Sequence, residues 1–297
     1  MRLGVRLGSA AVLLAILVVA LILRGPFLDA IAALAVVVAC WEFSGLMRRL
    51  GAEPLAWVLY PLALFLLLRH TYPADWRTLD YALSGAVVIG LLGMLFPARE
   101  ALEGGMARWA ASVGGALYLG LTLGYLLLLV NAPERISVTS PAPVVVPWRG
   151  AIDVLVVAPH EHVGQWLVAI ALGSAMVGDT AALFVGNAFG RHRFFPSISP
   201  NKTAEGAVGS LAATVLAWAL AAPPLTGIPV PHAIGLGVAV AVVALGGDLV
   251  ESALKRAAKV KDSSELIPGH GGLLDRLDSL LLIGPVVYAY VVVTGLP

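Results

Sequence analysis

Two polar stretches interrupt an otherwise apolar chain, and they hold most of the side chains that could do chemistry. The more polar of the two runs from Glu251 to Asp278. Just before it, Asp248 follows Gly246-Gly247 at the end of an apolar run, with Glu251 close by. Carboxylates in or at the edge of a membrane segment are costly and usually face a polar cavity with a partner. Lys255, Arg256, Lys259 and Lys261 come next. Helical steps from Asp248 put Ser252, Lys255 and Lys259 on one face. A carboxylate followed by a cationic stripe suits a metal with a polyphosphate beside it. The chain then passes through Pro268-Gly269-His270-Gly271-Gly272, where Gly271 and Gly272 let backbone N–H groups approach a ligand. Asp275 and Asp278 follow, one helical turn apart, at the head of the last apolar run. Asp248 and Asp275 are therefore the candidate paired-carboxylate metal site. Oxygen ligands beside phosphate select Mg²⁺ or Mn²⁺ over zinc.

The other polar stretch is Arg191 to Gly206. Ser199 and Thr203 supply hydroxyls, Lys202 a cation and Glu205 an acid. Either Ser199 or Thr203 can start the helix that follows, and a helix N-terminus attracts phosphate. Lys261 and Arg276 in the later stretch are further candidates for phosphate contact. His270 suits either ligand contact and proton handling or a structural place in a glycine turn. Asp179 lies within an apolar run and is expected to line a polar cavity.

The elements that must position these residues are membrane helices. Of 297 residues, 59% are hydrophobic and 12% charged, and the mean hydropathy is +0.91. A soluble domain carries about 25% charged residues, so the bilayer must solvate most of this chain. The formal net charge of +1 makes no case for nucleic acid, and none is expected as a partner. The single cysteine, Cys40, excludes an internal disulfide and reads as a small buried hydrophobe.

Nine apolar stretches approach the roughly 20 residues that a spanning helix needs. They run about 7–23, 27–46, 54–69, 79–96, 108–130, 164–189, 206–226, 232–250 and 279–296. The predicted fold is all-α and polytopic, with about nine transmembrane helices. With the N-terminus in the cytoplasm, 14 of the 19 Lys and Arg fall on the cytoplasmic side and 5 on the other, as the positive-inside rule asks. Arg2 and Arg6 ahead of the first stretch look like a signal peptide, but Arg24-Gly25-Pro26 is no cleavage site, so a retained span is expected. Both polar stretches then share the cytoplasmic face. The organisation read from this is residues 1–131 as spans one to five, 132–163 as a proline-rich non-cytoplasmic loop, and 164–297 as the catalytic region. His160 and His162 in that loop are expected to be solvated.

The motifs carry a resemblance. Ser252-Ala253-Leu254-Lys255-Arg256, Lys261-Asp262 and Pro268-Gly269-His270-Gly271-Gly272-Leu273-Leu274-Asp275-Arg276-Leu277-Asp278 resemble the signature of phosphatidate cytidylyltransferases, across about 27 residues. Gly178-Asp179-Thr180-Ala181-Ala182 and Ser199-Pro200-Asn201-Lys202-Thr203-Ala204-Glu205-Gly206 are similar to further family motifs, as is the Trp41-Glu42 pair. The clear likeness covers about 175–280. It implies an integral membrane enzyme that turns CTP and phosphatidate into CDP-diacylglycerol and pyrophosphate. It also implies divalent-cation dependence with Asp248 and Asp275 at the metal, a monovalent cation such as K⁺ beside Mg²⁺, and a homodimer. The expected location is a bacterial inner membrane, with the site facing the cytoplasm. Asn201 departs from the lysine of many members, and the 131–163 loop looks like an insertion.

Other classes fit less well. A CDP-alcohol phosphotransferase pairs Asp-Gly with a later Asp-x-x-x-Asp, a pattern missing here. CTP-dependent activation of another lipid phosphate fits the same motifs. A transporter tends to place charge near the midplane and to show inverted repeats, whereas charge here collects at one face.

Overall fold

The computed structural model describes residues 3–23, 25–71, 76–93, 104–131 and 163–295. Each of the nine apolar stretches contains a helix among these residues: α1 (Leu3–Leu23), α2 (Gly25–Arg49), α3 (Ala56–Leu67), α4 (Trp76–Gly93), α5 (Gly105–Val130), α6 (Val163–Phe189), α7 (Ala204–Thr226), α8 (Val230–Ala257) and α9 (Leu274–Thr294). Two isolated bridges are the only extended pairing among the described residues. The protein is an all-α polytopic membrane protein. Among the described residues, α2, α5, α6, α7, α8 and α9 are long and apolar enough to cross a membrane. The apolar helix Ala56–Thr71 is shorter. Most of the proline-rich loop, with His160 and His162, lies outside the described residues.

The chain divides into two compact units. One joins Met1–Leu127 to Asp248–Leu281, and the other joins Leu128–Gly247 to Leu282–Pro297.

In the first unit α3 packs against α5 through glycine. A Cβ on Gly120 would stand 2.6 Å from the Ala63 Cα, and one on Gly124 would stand 2.7 Å from the Leu66 carbonyl oxygen. Small residues let two backbones touch where lipid supplies no hydrophobic drive. Around that contact Leu59, Leu66, Leu67 and Leu119 are fully buried. A π-helical turn, Leu117–Leu121, widens α5 beside it, and the Thr122 hydroxyl bonds the Tyr118 carbonyl. The α2–α3 turn is held by α5: the Leu55 N–H donates to Ser112 Oγ at 2.7 Å, and Arg108 Nε donates to the Glu53 carbonyl at 3.1 Å. Cys40 is buried and free, as expected. Away from the C-terminal end of α2, His70 pairs with Asp29 at 3.0 Å, and the Arg69 guanidinium lies 3.9 Å from the centre of the Tyr125 ring.

In the second unit α6 and α7 lie against each other. Gly178 meets Thr214 and Ser210, where a Cβ would come within 2.5 Å of Thr214 Oγ1. Buried Trp218 donates its indole N–H to Ser174 Oγ at 3.0 Å. Thr203, in extended backbone, is the N-cap of α7 and accepts from the Gly206 N–H at 3.1 Å. Of the two residues that could start this helix, Thr203 does so, because only its hydroxyl reaches an orphan N–H of the first turn. Gly227 ends the helix at φ 77°, the left-handed cap glycine favours.

Candidate active site

Asp248, Glu251 and Lys255 follow one another along α8 at spacings that keep them on one face. Ser252 Oγ donates to Asp248 Oδ1 at 3.3 Å. Glu251 is fully buried and forms an ion pair with Lys255, one turn on. The same ammonium reaches Asp275 Oδ1 at 2.6 Å. Two buried carboxylates therefore share one lysine, and that lysine ties the Asp248 segment to the Asp275 segment. Lys259 does not join them. α8 stops at Ala257, and Lys259 takes a left-handed φ of 56° in the turn beyond, so the expected cationic stripe ends at Lys255.

The loop from Ser263 to Leu274 is built around Asp275 and a second acid, Glu42 of α2. Asp275 Oδ2 accepts from the Ser263 N–H at 2.9 Å, the Ser263 hydroxyl at 2.8 Å and the Gly272 N–H at 2.7 Å. Glu42 is 2% exposed although it sits in an apolar helix. Its carboxylate takes the Ser263 hydroxyl at 3.1 Å, the Ser264 hydroxyl at 2.6 Å, the Leu273 N–H at 2.9 Å and the Leu274 N–H at 2.6 Å. Those two N–H groups lie at the start of α9, where backbone donors lack helical partners and the dipole favours an anion. The charge of Glu42 is thus met by donors without a cation.

The glycines of this loop have separate tasks. Gly269 and Gly271 take φ of 82° and 78°, which a side chain would resist. Gly272 is needed for space, since a Cβ there would stand 2.5 Å from Glu42 Oε1 and 2.7 Å from Oε2. His270 has a structural partner. Its Nδ1 lies 2.8 Å from the Ser9 hydroxyl of α1, and Ser9 also donates to the Pro268 carbonyl at 3.2 Å. Arg256, Lys261 and Arg276 are exposed around this cluster, and Arg256 Nη1 donates to the Val260 carbonyl at 3.4 Å.

The remaining candidates lie in the other unit, in the hairpin ahead of α7 except for Asp179. Arg193 and Thr203 form a bridge. The Phe194 N–H donates to the Lys202 carbonyl and the Ala204 N–H to the His192 carbonyl, each at 2.9 Å. Glu205 latches the hairpin. It accepts from the Arg191 N–H at 3.1 Å and pairs with His192 Nδ1 at 2.7 Å. Ser199 and Lys202 are half-buried, and the Lys202 N–H donates to the Ser199 carbonyl at 3.3 Å. Asp179 is exposed on α6. A 350 Å³ cavity on α6 is lined by Met176, Val177, Thr180, Ala181 and Phe184, and Asp179 is not part of its wall.

Comparison with known proteins gives the family. The sequence profile of the cytidylyltransferase family matches residues 4–294. The chain belongs to that family. It is 34% identical over 295 residues to a phosphatidate cytidylyltransferase of Synechocystis, covering 97% of this chain and 96% of that one. A Mycobacterium bovis protein of the same name is 32% identical over 90% of this chain and 80% of its own. A third, from Bacillus subtilis, is 45% identical over 37% of this chain and 41% of its own.

Four residues of the site were not among the candidates chosen from sequence. Ser263 and Ser264 carry no periodicity or motif of their own. Glu251 was visible as an acid at the edge of an apolar helix, and Glu42 as such an acid and as part of the Trp41-Glu42 resemblance; that costly placement signals a partner but does not say which.

Proposed function

We propose that the protein is a phosphatidate cytidylyltransferase: the phosphate of phosphatidate attacks the α-phosphorus of CTP, and pyrophosphate leaves. The observation that carries this reading is the Glu251–Lys255–Asp275 cluster, which supplies buried charge in a chain whose relatives of matching length bear that name. A phosphate monoester is largely ionised near neutral pH, so the nucleophile needs no strong base. The barrier is the meeting of two polyanions, which fixed cations and oriented donors lower.

The reading carries a divalent cation, for which Asp248 and Asp275 offer oxygen ligands although Lys255 and three donors already engage Asp275. Among the described residues no three acidic, imidazole or thiol groups gather to hold a metal alone. Mg²⁺ needs no such cage. It keeps several waters and binds through one or two carboxylates plus substrate phosphates. Asp248 and Asp275 would hold it, and K⁺ beside it would share the same oxygen-rich surroundings. The ion would neutralise phosphate charge as a Lewis acid. The chain's own groups do the rest. Lys255 offsets the negative charge of Glu251 and Asp275. Lys202, Arg256, Lys261 and Arg276 are the cations proposed for phosphate contact. Ser199, Thr203, Glu205, Asp179, Gly271 and Gly272 are proposed to shape the nucleotide's surroundings. We place the site on the cytoplasmic face of a bacterial inner membrane, in keeping with the arginine and lysine bias of the loops.

The test is a CTP- and phosphatidate-dependent assay on the purified protein in detergent. The wild type is expected to release pyrophosphate and form CDP-diacylglycerol. Asp248→Asn and Asp275→Asn should each lower turnover by about three orders of magnitude, the scale on which loss of a major electrostatic group acts. Ordinary turnover in either variant removes that residue from the metal assignment.

A further inference from the structure

At the C-terminal end of α2 a cavity of 330 Å³ opens between Trp41, Glu42, Gly45, Arg48, Arg49 and Ser263. All of these belong to the unit that holds Asp275. Each wall has a distinct property. Arg48 is engaged, its guanidinium 2.8 Å from Glu53. Arg49 is exposed and has no ion-pair partner among the described residues. The Glu42 carboxylate adds little repulsion, because it is 2% exposed and held by the Ser264 hydroxyl and the Leu273 and Leu274 N–H groups, with the Ser263 hydroxyl shared with Asp275. Ser263 connects the cavity to the cluster, giving both its N–H and its hydroxyl to Asp275 Oδ2.

Gly45 supplies the second line of evidence. A Cβ built there would meet nothing within 4 Å. Helix packing does not require glycine at this position, and glycine weakens a helix interior by about 1 kcal/mol relative to alanine. What a side chain at Gly45 would take is cavity space. Trp41, 56% exposed, stands at the rim. Tryptophan favours the boundary between membrane and water, and α2 is apolar enough to cross that membrane.

We propose that this cavity receives the phosphate headgroup of the lipid substrate, with Arg49 as its counter-charge and Gly45 as the gap it enters. The proposal rests on the cytidylyltransferase reading above. Nucleotide phosphates and free phosphate share the same chemistry. The rim decides for the lipid: a headgroup held beside Trp41 at the end of a membrane helix leaves its acyl chains in hydrocarbon.

Gly45→Leu fills the cavity without removing a contact, and Arg49→Ala removes its counter-charge from an exposed position. Each should raise the KM for phosphatidate in mixed micelles about tenfold, the value of one charge-assisted contact. The KM for CTP should stay at the wild-type value, and the melting temperature should not fall in either variant and should rise slightly in Gly45→Leu. Arg49→Lys should recover part of the loss. An unchanged phosphatidate KM in both variants overturns the proposal. A rise confined to the KM for CTP also overturns it and assigns the cavity to the nucleotide. Calorimetric titration with a short-chain phosphatidate gives a readout independent of turnover. Binding that weakens in Gly45→Leu supports the lipid assignment even if the wild type proves unable to use CTP, a result that sinks only the enzymatic reading. Displacement of the lipid by an equal concentration of inorganic phosphate overturns the assignment to a lipid.

Discussion

Asp275 is 8% exposed and takes three donors on one oxygen and an ammonium on the other. Glu205, in the other polar stretch, pairs with a histidine whose side chain is 80% exposed. Both acids stand in the first turn of an apolar helix and both fasten a loop. The first does so out of water, where each hydrogen bond is stronger and each orphaned group costs more. The second does so in solvent, where screening weakens the pair. The Asp275 loop is therefore a preorganised part that tolerates little change. The hairpin ahead of α7 owes its form to backbone pairing and a helix cap more than to charge.

This contrast can be broken most severely at Lys255. Lys255→Met leaves Glu251 and Asp275 buried without their cation, a loss of about 3–5 kcal/mol by the usual cost of orphaning a buried charge. The expected result is a large fall in denaturation midpoint in detergent together with lost turnover. Adding Glu251→Gln to Lys255→Met should recover part of the stability, as a double-mutant cycle would measure. Additive losses would mean that the two side chains do not act as a pair.

Glu42→Gln is the next step down. A glutamine turns an NH₂ group toward a ring of donors, so some of the Ser263, Ser264, Leu273 and Leu274 contacts must go. The expected destabilisation is about 1–3 kcal/mol, with a fall in activity because the same serine positions Asp275. A Glu42→Gln protein that melts and turns over like the wild type would show that the buried carboxylate holds nothing in place.

The smallest effects belong to the hairpin. Thr203→Ala removes the α7 cap and should cost about 1 kcal/mol, read as a modest drop in melting temperature. Glu205→Gln, whose partner is exposed, should move the melting temperature less still. A larger effect at Glu205 than at Lys255 would invert the comparison between the two loops.

Much of the fold was legible along the chain. Each apolar run contains a helix among the described residues, and six of those helices are long and apolar enough to cross a membrane, which tolerates little else. The largest disagreement in the site, at Lys259, has a local cause. Helical counting assumes the helix continues, whereas α8 ends at Ala257 and the chain turns through a left-handed residue. Asp248, Lys255 and Asp275 were visible because charge is rare in apolar surroundings. Glu42 was visible for the same reason, but its partners lie more than 200 residues away.

The sequence by itself determined that the protein lives in a membrane, that its polar residues gather in two loops, and that an acid-rich segment with glycines closes one of them. These follow from composition and from local spacing, which act over a few residues. Only the tertiary structure decided that Glu42 grips the start of α9, that one lysine serves two carboxylates, and that a glycine of α2 leaves a cavity beside the same loop. Such contacts join segments far apart in the chain. They form because a buried polar group must find a partner, and which partner it finds depends on how the helices pack.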